Sequence, residues 1–107
     1  MQGIQLTFFT LQDRRHGNRP VSDWLLELAK ASGLHGATVV AAAKGFGHDG
    51  QIHSADLIDL ADQPQMVVMT ATAEQAKAVL ARLQAEKLQL FCVKTAVEFG
   101  ILDEKGS

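Results

Sequence analysis

The sequence predicts an α+β fold of the ferredoxin-like kind, a four-stranded antiparallel sheet with two helices on one face in the order βαββαβ. Three observations carry this. Two segments, Val21-Trp24-Leu25-Leu28 and Ala76-Val79-Leu80-Leu83, repeat apolar residues at i, i+3, i+4, i+7 and make one helix face each. Four runs rich in β-branched or apolar residues surround them in strand, helix, strand, strand, helix, strand order. Across 107 residues no linker, low-complexity tract or charge block divides the chain, so residues 1–107 read as one domain.

Ile4 to Leu11 forms the first strand, and the polar, basic stretch Asp13-Arg14-Arg15-His16-Gly17-Asn18-Arg19 ends it as a loop. Pro20 suits the first turn of the first helix, where its missing N–H costs nothing. Gly33 supplies the left-handed stop. Ala37 to Ala43 reads as a second strand buried on both faces. Its alanines would also allow a helix, but Gly36 before it and three glycines after it favour the strand. Residues 45–54 are a loop, and Pro64 starts a third strand that runs from Met66 to Ala71. Thr72 and Gln75 have capping-box spacing ahead of the second helix. Leu88 to Val97 is the fourth strand, and Asp103 to Ser107 is a polar tail.

Composition bounds the function. A net charge of −2 lacks the basic footprint of a nucleic-acid binder. The single cysteine, Cys92, rules out an intramolecular disulfide and fits a reducing compartment. No apolar run approaches the roughly 18 residues of a membrane span, so direct membrane insertion is not expected and the cytoplasm is the expected location.

With both helices on one face, the other sheet face should be polar if it met water. Instead Phe8 and Phe9 split between the faces, as do Leu90 and Cys92 against Phe91 and Val93. Leaving a Phe or Val exposed forgoes about 1.5–3 kcal/mol of burial. Such a patch marks an interface, and an oligomer is expected; the alternative is a C-terminal tail folded across that face.

The richest stretch for chemistry is Lys44-Gly45-Phe46-Gly47-His48-Asp49-Gly50. It satisfies G-x-G-x-x-G but leads toward another strand through Ile52-His53-Ser54, whereas the dinucleotide fingerprint must open a helix. What survives is an anion-binding nest of glycine N–H groups beside Lys44, or a wide loop that needs positive φ. Arg14, Arg15 and Arg19 could hold phosphate or carboxylate groups bidentately. His48 and His53, with Asp49, are the only candidate metal ligands, and their spacing matches no strong zinc signature. No nucleophile stands with a base, and Cys92 sits mid-strand as inert core, so no enzyme activity is expected.

Taken together, Asp13-Arg14-Arg15-His16-Gly17-Asn18-Arg19-Pro20 leading to Trp24-Leu25, then Gly33-Leu34-His35-Gly36-Ala37-Thr38-Val39, Gly45-Phe46-Gly47, Ile52-His53-Ser54, Leu60 and Pro64 resemble the short PII-like family catalogued as "domain of unknown function 190". The resemblance spans about Gly3 to Val97. More distantly the chain is similar to nitrogen-regulatory PII proteins, through the strand around Thr38-Val39 and the run Lys44-Gly45-Phe46-Gly47. That resemblance implies a ferredoxin-like homotrimer with ligand clefts between subunits. It also implies adenine nucleotides as ligands, and a mobile loop that reports to a membrane transporter or an enzyme. By position it assigns Thr38, Lys44, Gly45, Phe46 and Gly47 to the cleft and residues 45–54 to the signalling loop. The glycine-rich turn of PII proteins is replaced by Ala85-Glu86-Lys87-Leu88-Gln89, and their C-terminal arginines are absent. Positive charge must then come from Lys44, Lys87, Arg14 and Arg15. The expected function is a non-enzymatic sensor of a small anionic ligand that needs no cofactor. The alternatives are a metal-binding trimer using His48 and His53, and a ligand-independent protein adaptor.

Overall fold

The computed structural model describes residues 1–46, 52–54 and 63–103, with residues 52–54 described as backbone. The elements are β1 (Gln2–Leu11), β2 (Arg15–His16), β3 (Arg19–Pro20), α1 (Val21–Ala31), β4 (Ala37–Ala41), β5 (Lys44–Phe46), β6 (Ile52–Ser54), β7 (Pro64–Ala71), α2 (Ala73–Ala85) and β8 (Phe91–Glu98). β4, β7, β1 and β8 form one antiparallel sheet in that order, which is the predicted ferredoxin-like topology. β2 pairs with β3, and β5 pairs with β6, as two short ribbons.

The core lies between the sheet and the helices. Leu6 and Phe8 of β1 and Val67, Met69 and Ala71 of β7 meet Val21, Leu25 and Ala29 of α1 and Ala76, Val79 and Leu83 of α2. All of these helix residues except Ala29 are ones that the apolar spacing singles out; in α1 Ala29 takes the buried position expected of Leu28, and Trp24, Leu28 and Leu80 pack at the margin.

Both helices stop in the same way. After α1, Gly33 adopts φ +82°, its N–H bonds the Lys30 carbonyl, and the Leu34 N–H bonds the Ala29 carbonyl. This is the Schellman pattern, which satisfies carbonyls that the helix leaves unpaired. After α2 the Lys87 N–H bonds Gln84 and the Leu88 N–H bonds Leu83, but the left-handed position is held by Lys87, at φ 55°. Lys87 is the one non-glycine residue with positive φ among the described residues. Thr72 and Gln75 close the expected capping box: the Gln75 N–H donates to Thr72 Oγ1 at 3.1 Å and the Thr72 N–H to Gln75 Oε1 at 2.9 Å.

Several expectations are corrected. The stretch 37–43 is not a strand buried on both faces. β4 ends at Ala41 and is an edge strand, with Thr38, Val40 and Ala41 exposed and Ala37 and Val39 half-buried. Alanine and valine alone do not distinguish an edge strand from a central one. The basic loop is a hairpin, turned at Gly17 (φ +66°), the first central position of a two-residue connection where glycine is favoured. Pro20 is the N-cap, with extended ψ of 142°, rather than the first helical residue. β8 begins at Phe91 because Leu88 is committed to the exit from α2. Gly45, Phe46 and Ile52–Ser54, expected within the 45–54 loop, instead lie in β5 and β6, which pair with each other.

The second sheet face is apolar and uncovered among the described residues. Val40, Met66, Phe9 and Phe91 lie side by side across all four strands, and Thr38, Val68, Thr7 and Val93 form the next row. Phe91 is 63% exposed and Val93 41%. Among the described residues the segment after β8 leaves the rows through Phe9 and Val93 open: Phe99 turns its ring onto Gly3 at the far end of the sheet, while Ile101 and Leu102 stay exposed.

Candidate functional site

Antiparallel pairing brings the ends Leu11 of β1 and Ala41 of β4 beside the starts Pro64 of β7 and Phe91 of β8. Three connections therefore emerge at one end of the sheet: the β2–β3 hairpin, the β5–β6 ribbon and the turn from α2 to β8. Of the predicted ligand residues that are described, Arg15, Lys44, Gly45, Phe46 and Lys87 belong to these connections and Arg14 directly precedes β2. Thr38 lies inside β4, exposed on the open face.

At the β1–β8 side, the Arg14 guanidinium Nη2 donates to the Gln89 carbonyl at 2.6 Å. This pins Arg14 to the turn that carries Lys87. The Val21 N–H donates back to the Arg14 carbonyl at 2.9 Å, so α1 holds the backbone of the same residue. Arg15 points elsewhere and donates to the Asn18 carbonyl across its own hairpin at 2.9 Å. Arg19 is engaged by Glu27 and the Asp23 carbonyl of α1.

Beyond the sequence expectations, a cluster braces this corner. His16 Nε2 lies 2.8 Å from Glu86 Oε1, and Arg82 Nε donates to Glu86 Oε2 at 3.2 Å. The His16 ring meets Trp24 edge-on at 5.0 Å, and the Arg82 guanidinium sits 5.9 Å from the centroid of the Trp24 ring. The His16 hydrogen bond, with help from Arg82, holds the Glu86 carboxyl below the usual glutamate range. The i,i+4 spacing of Arg82 and Glu86 was visible in the sequence; its link to His16, 70 residues earlier, was not.

At the β4–β7 side, Lys44, Gly45 and Phe46 form β5, with Lys44 exposed and Phe46 74% exposed. The entry to the ribbon is tied to β7, where the Ala42 N–H donates to the Pro64 carbonyl at 2.9 Å, and the Gln12 N–H after β1 donates to the Gln63 carbonyl at 2.9 Å. Gly45 lies over Pro64 with ordinary van der Waals room for a Cβ, so its glycine is not required by contact there. Gly47, His48 and Asp49 lie outside the described residues, and His53 is placed as backbone opposite Gly45. Among the described residues no group of three or more His, Cys, Asp or Glu side chains is placed to hold a metal.

Behind the Lys87 turn an open groove of about 490 Å³ runs between α2 and β8, floored by Leu80, Leu83, Leu88, Leu90 and Cys92. Burial pushes the Cys92 thiol up from its ordinary value, away from the reactive thiolate. Among the described residues no helix is long and apolar enough to cross a membrane.

A ferredoxin-like sheet with an uncovered apolar face and cationic connections gathered at one end defines a PII-like fold. The solved structures agree on that fold. A PII-like signaling protein from Thermus thermophilus matches with a TM-score of 0.63 at 20% identity, over 90% of this chain and 85% of that one. CPII, a nitrogen regulatory PII-like protein from Thiomonas intermedia K12 bound to ADP, AMP and bicarbonate, matches at 0.64 and 16% identity, over 91% and 89%. CutA from Synechococcus elongatus PCC7942 matches at 0.56 and 16%, over 89% and 77%. A UPF0166 protein of Aquifex aeolicus (strain VF5) is 36% identical over 70 residues, 65% of this chain and 67% of that protein. The chain belongs to the DUF190 family, described as "Uncharacterized ACR, COG1993", whose model matches residues 3–98.

Proposed function

We propose that this chain is a non-enzymatic, PII-like regulatory protein of the cytoplasm. It senses a small anionic ligand, an adenine nucleotide being the leading class, and reports occupancy through residues 45–54 to a transporter or enzyme. The observation that carries this reading is the Arg14–Gln89 contact beside Lys87, which holds two cationic residues at the sheet end that also bears the Lys44–Phe46 ribbon. Lys87 adds its own argument. A lysine in a left-handed conformation that glycine adopts without strain costs about 1–2 kcal/mol, and such strain concentrates at functional sites.

The two cationic groups sit at opposite margins of the sheet, Arg14 and Lys87 toward edge strand β8 and Lys44 toward edge strand β4. A closed ring of copies joins unlike edges, setting one copy's β4 side against the next copy's β8 side. In a homotrimer built this way each cleft is completed by both groups, and the apolar rows through Phe9 and Phe91 face inward. The binding of ADP and AMP by the CPII protein, a neighbour of the same fold, supports the nucleotide class.

The test is thermal unfolding across a panel of adenine nucleotides, small carboxylates, bicarbonate and divalent metals. A ligand that selects the folded state raises stability by RT ln(1 + [L]/Kd). A rise in Tm with one nucleotide, lost in Arg14→Ala and Lys87→Ala, is the expected result. No shift with any member at millimolar concentration would overturn the sensing role.

A further inference from the structure

The corner that holds Arg14 and Lys87 also contains an ionisable cluster. Four side chains from three elements meet there: His16 of the β2–β3 hairpin, Trp24 of α1, and Arg82 and Glu86 at the end of α2. Glu86 immediately precedes Lys87, and its carboxylate is the negative charge nearest that cation in sequence. One of its oxygens takes Arg82 and the other takes His16. With neutral His16, one cation offsets one anion; with protonated His16, two cations do. Protonation therefore adds a positive charge at the site corner and turns the His16 contact with the Glu86 carboxylate into an ion pair with both partners charged.

Mechanics point the same way as charge. The hairpin carrying Arg14 touches the Lys87 turn at two places: Arg14 on the Gln89 carbonyl and His16 on Glu86. Loosening the second contact leaves the first as the only tie among these side chains. The remaining charged groups on the hairpin are already directed elsewhere, Arg15 to the Asn18 carbonyl and Arg19 to Glu27 and the Asp23 carbonyl. From α1 the imidazole meets Trp24, and from α2 it meets Glu86, with Arg82 behind.

We infer that His16 and Glu86 are positioning residues forming a proton-linked latch, which sets Arg14 and Lys87 for an anion and couples ligand affinity to pH. This rests on the anion site proposed above. Histidine is the side chain whose ordinary charge change lies nearest physiological pH, which sets the range over which the coupling is tested.

The chain has a single tryptophan, Trp24, and a protonated imidazole against an indole quenches its emission. Ligand-free emission of the full chain, followed from pH 5 to 8.5, thus reads the latch with no anion present. Sulfate, whose charge is constant over this range, probes the site by titration at pH 6 and pH 8. The wild type is compared with His16→Gln, which keeps an amide donor toward Glu86, and with Glu86→Gln. We expect an emission transition in the wild type that is absent in His16→Gln. Sulfate affinity should be roughly three- to ten-fold higher at pH 6 than at pH 8, and pH-independent in His16→Gln, as one added positive charge at the same corner implies. Glu86→Gln should raise affinity at pH 8. An emission profile that is flat, or identical in His16→Gln, overturns the latch. A transition accompanied by the same sulfate pH dependence in His16→Gln overturns the coupling. A transition with no sulfate or ADP binding at either pH overturns the anion site itself, and the inference with it.

Discussion

Phe9 and Phe91 face each other across the β1–β8 pair with ring centroids 5.6 Å apart and planes inclined by 56°, on the side of the sheet that neither helix covers. A tilted pair of this kind contributes about 0.5–1.5 kcal/mol beyond area burial, yet Phe91 remains 63% exposed. The pair stands in the row Val40–Met66–Phe9–Phe91 and is the centre of the proposed inter-subunit surface. Phe91→Asp is expected to convert the oligomer to monomer in analytical ultracentrifugation while leaving the far-ultraviolet circular dichroism unchanged. An unaltered oligomer would remove this face from the interface.

Lys87 separates charge from backbone strain. Lys87→Gly removes the cation and relieves the left-handed conformation; the folded state should gain up to about 1 kcal/mol in urea denaturation while ligand affinity falls. Lys87→Ala keeps the strain and loses the charge, so it should lose affinity without gaining stability. If both variants bind as the wild type does, Lys87 is not a ligand residue.

Gly3 tests the far end of the sheet. A Cβ there would overlap the Ala71 carbonyl oxygen and the Phe99 ring. The ring can swing away, but the backbone oxygen of a central strand cannot. Gly3→Ala should destabilise the fold by about 1–3 kcal/mol, seen as a lower urea midpoint.

The capping box makes a smaller and equally definite claim. Thr72→Ala deletes the acceptor for the Gln75 N–H and should cost about 1 kcal/mol. Thr72→Asp keeps an acceptor and should cost much less.

Much of the fold was legible because it rests on spacing. The apolar positions of α1 and α2 and the Thr72–Gln75 cap are local signals, and the structure uses them as read. The edge position of β4 was not legible, since Ala37–Ala41 has the apolar run of a buried strand and only the strand order exposes it. The site was partly legible. Arg14 and Lys87 were both named, but the Arg14 bond to the Gln89 carbonyl, which brings Arg14 to the turn carrying Lys87, spans 75 residues and depends on the β1–β8 register. His16 lacked any local partner, because Glu86 reaches it only through the way α2 packs beside the hairpin.

Acid stability follows from Glu86. Its folded-state value is lowered, with the His16 hydrogen bond as the leading cause, so its stabilisation is full at neutral pH. That contribution is lost as pH falls below the ordinary glutamate value of about 4.5 and on through the lowered one. Glu86→Gln should therefore flatten the acid limb of the stability profile relative to wild type. Urea midpoints at pH 7 and pH 3.5 for both proteins give the comparison. An acid limb equally steep in the variant would show that Glu86 does not contribute.

The most direct test of the account is native mass spectrometry of the untagged protein, before and after addition of ATP, ADP and AMP. A trimer that takes up as many as three nucleotides, and loses them in Arg14→Ala, is the predicted result. A monomer, or a trimer that gains no nucleotide mass, would contradict the central claim that this fold senses an adenine nucleotide in clefts between subunits.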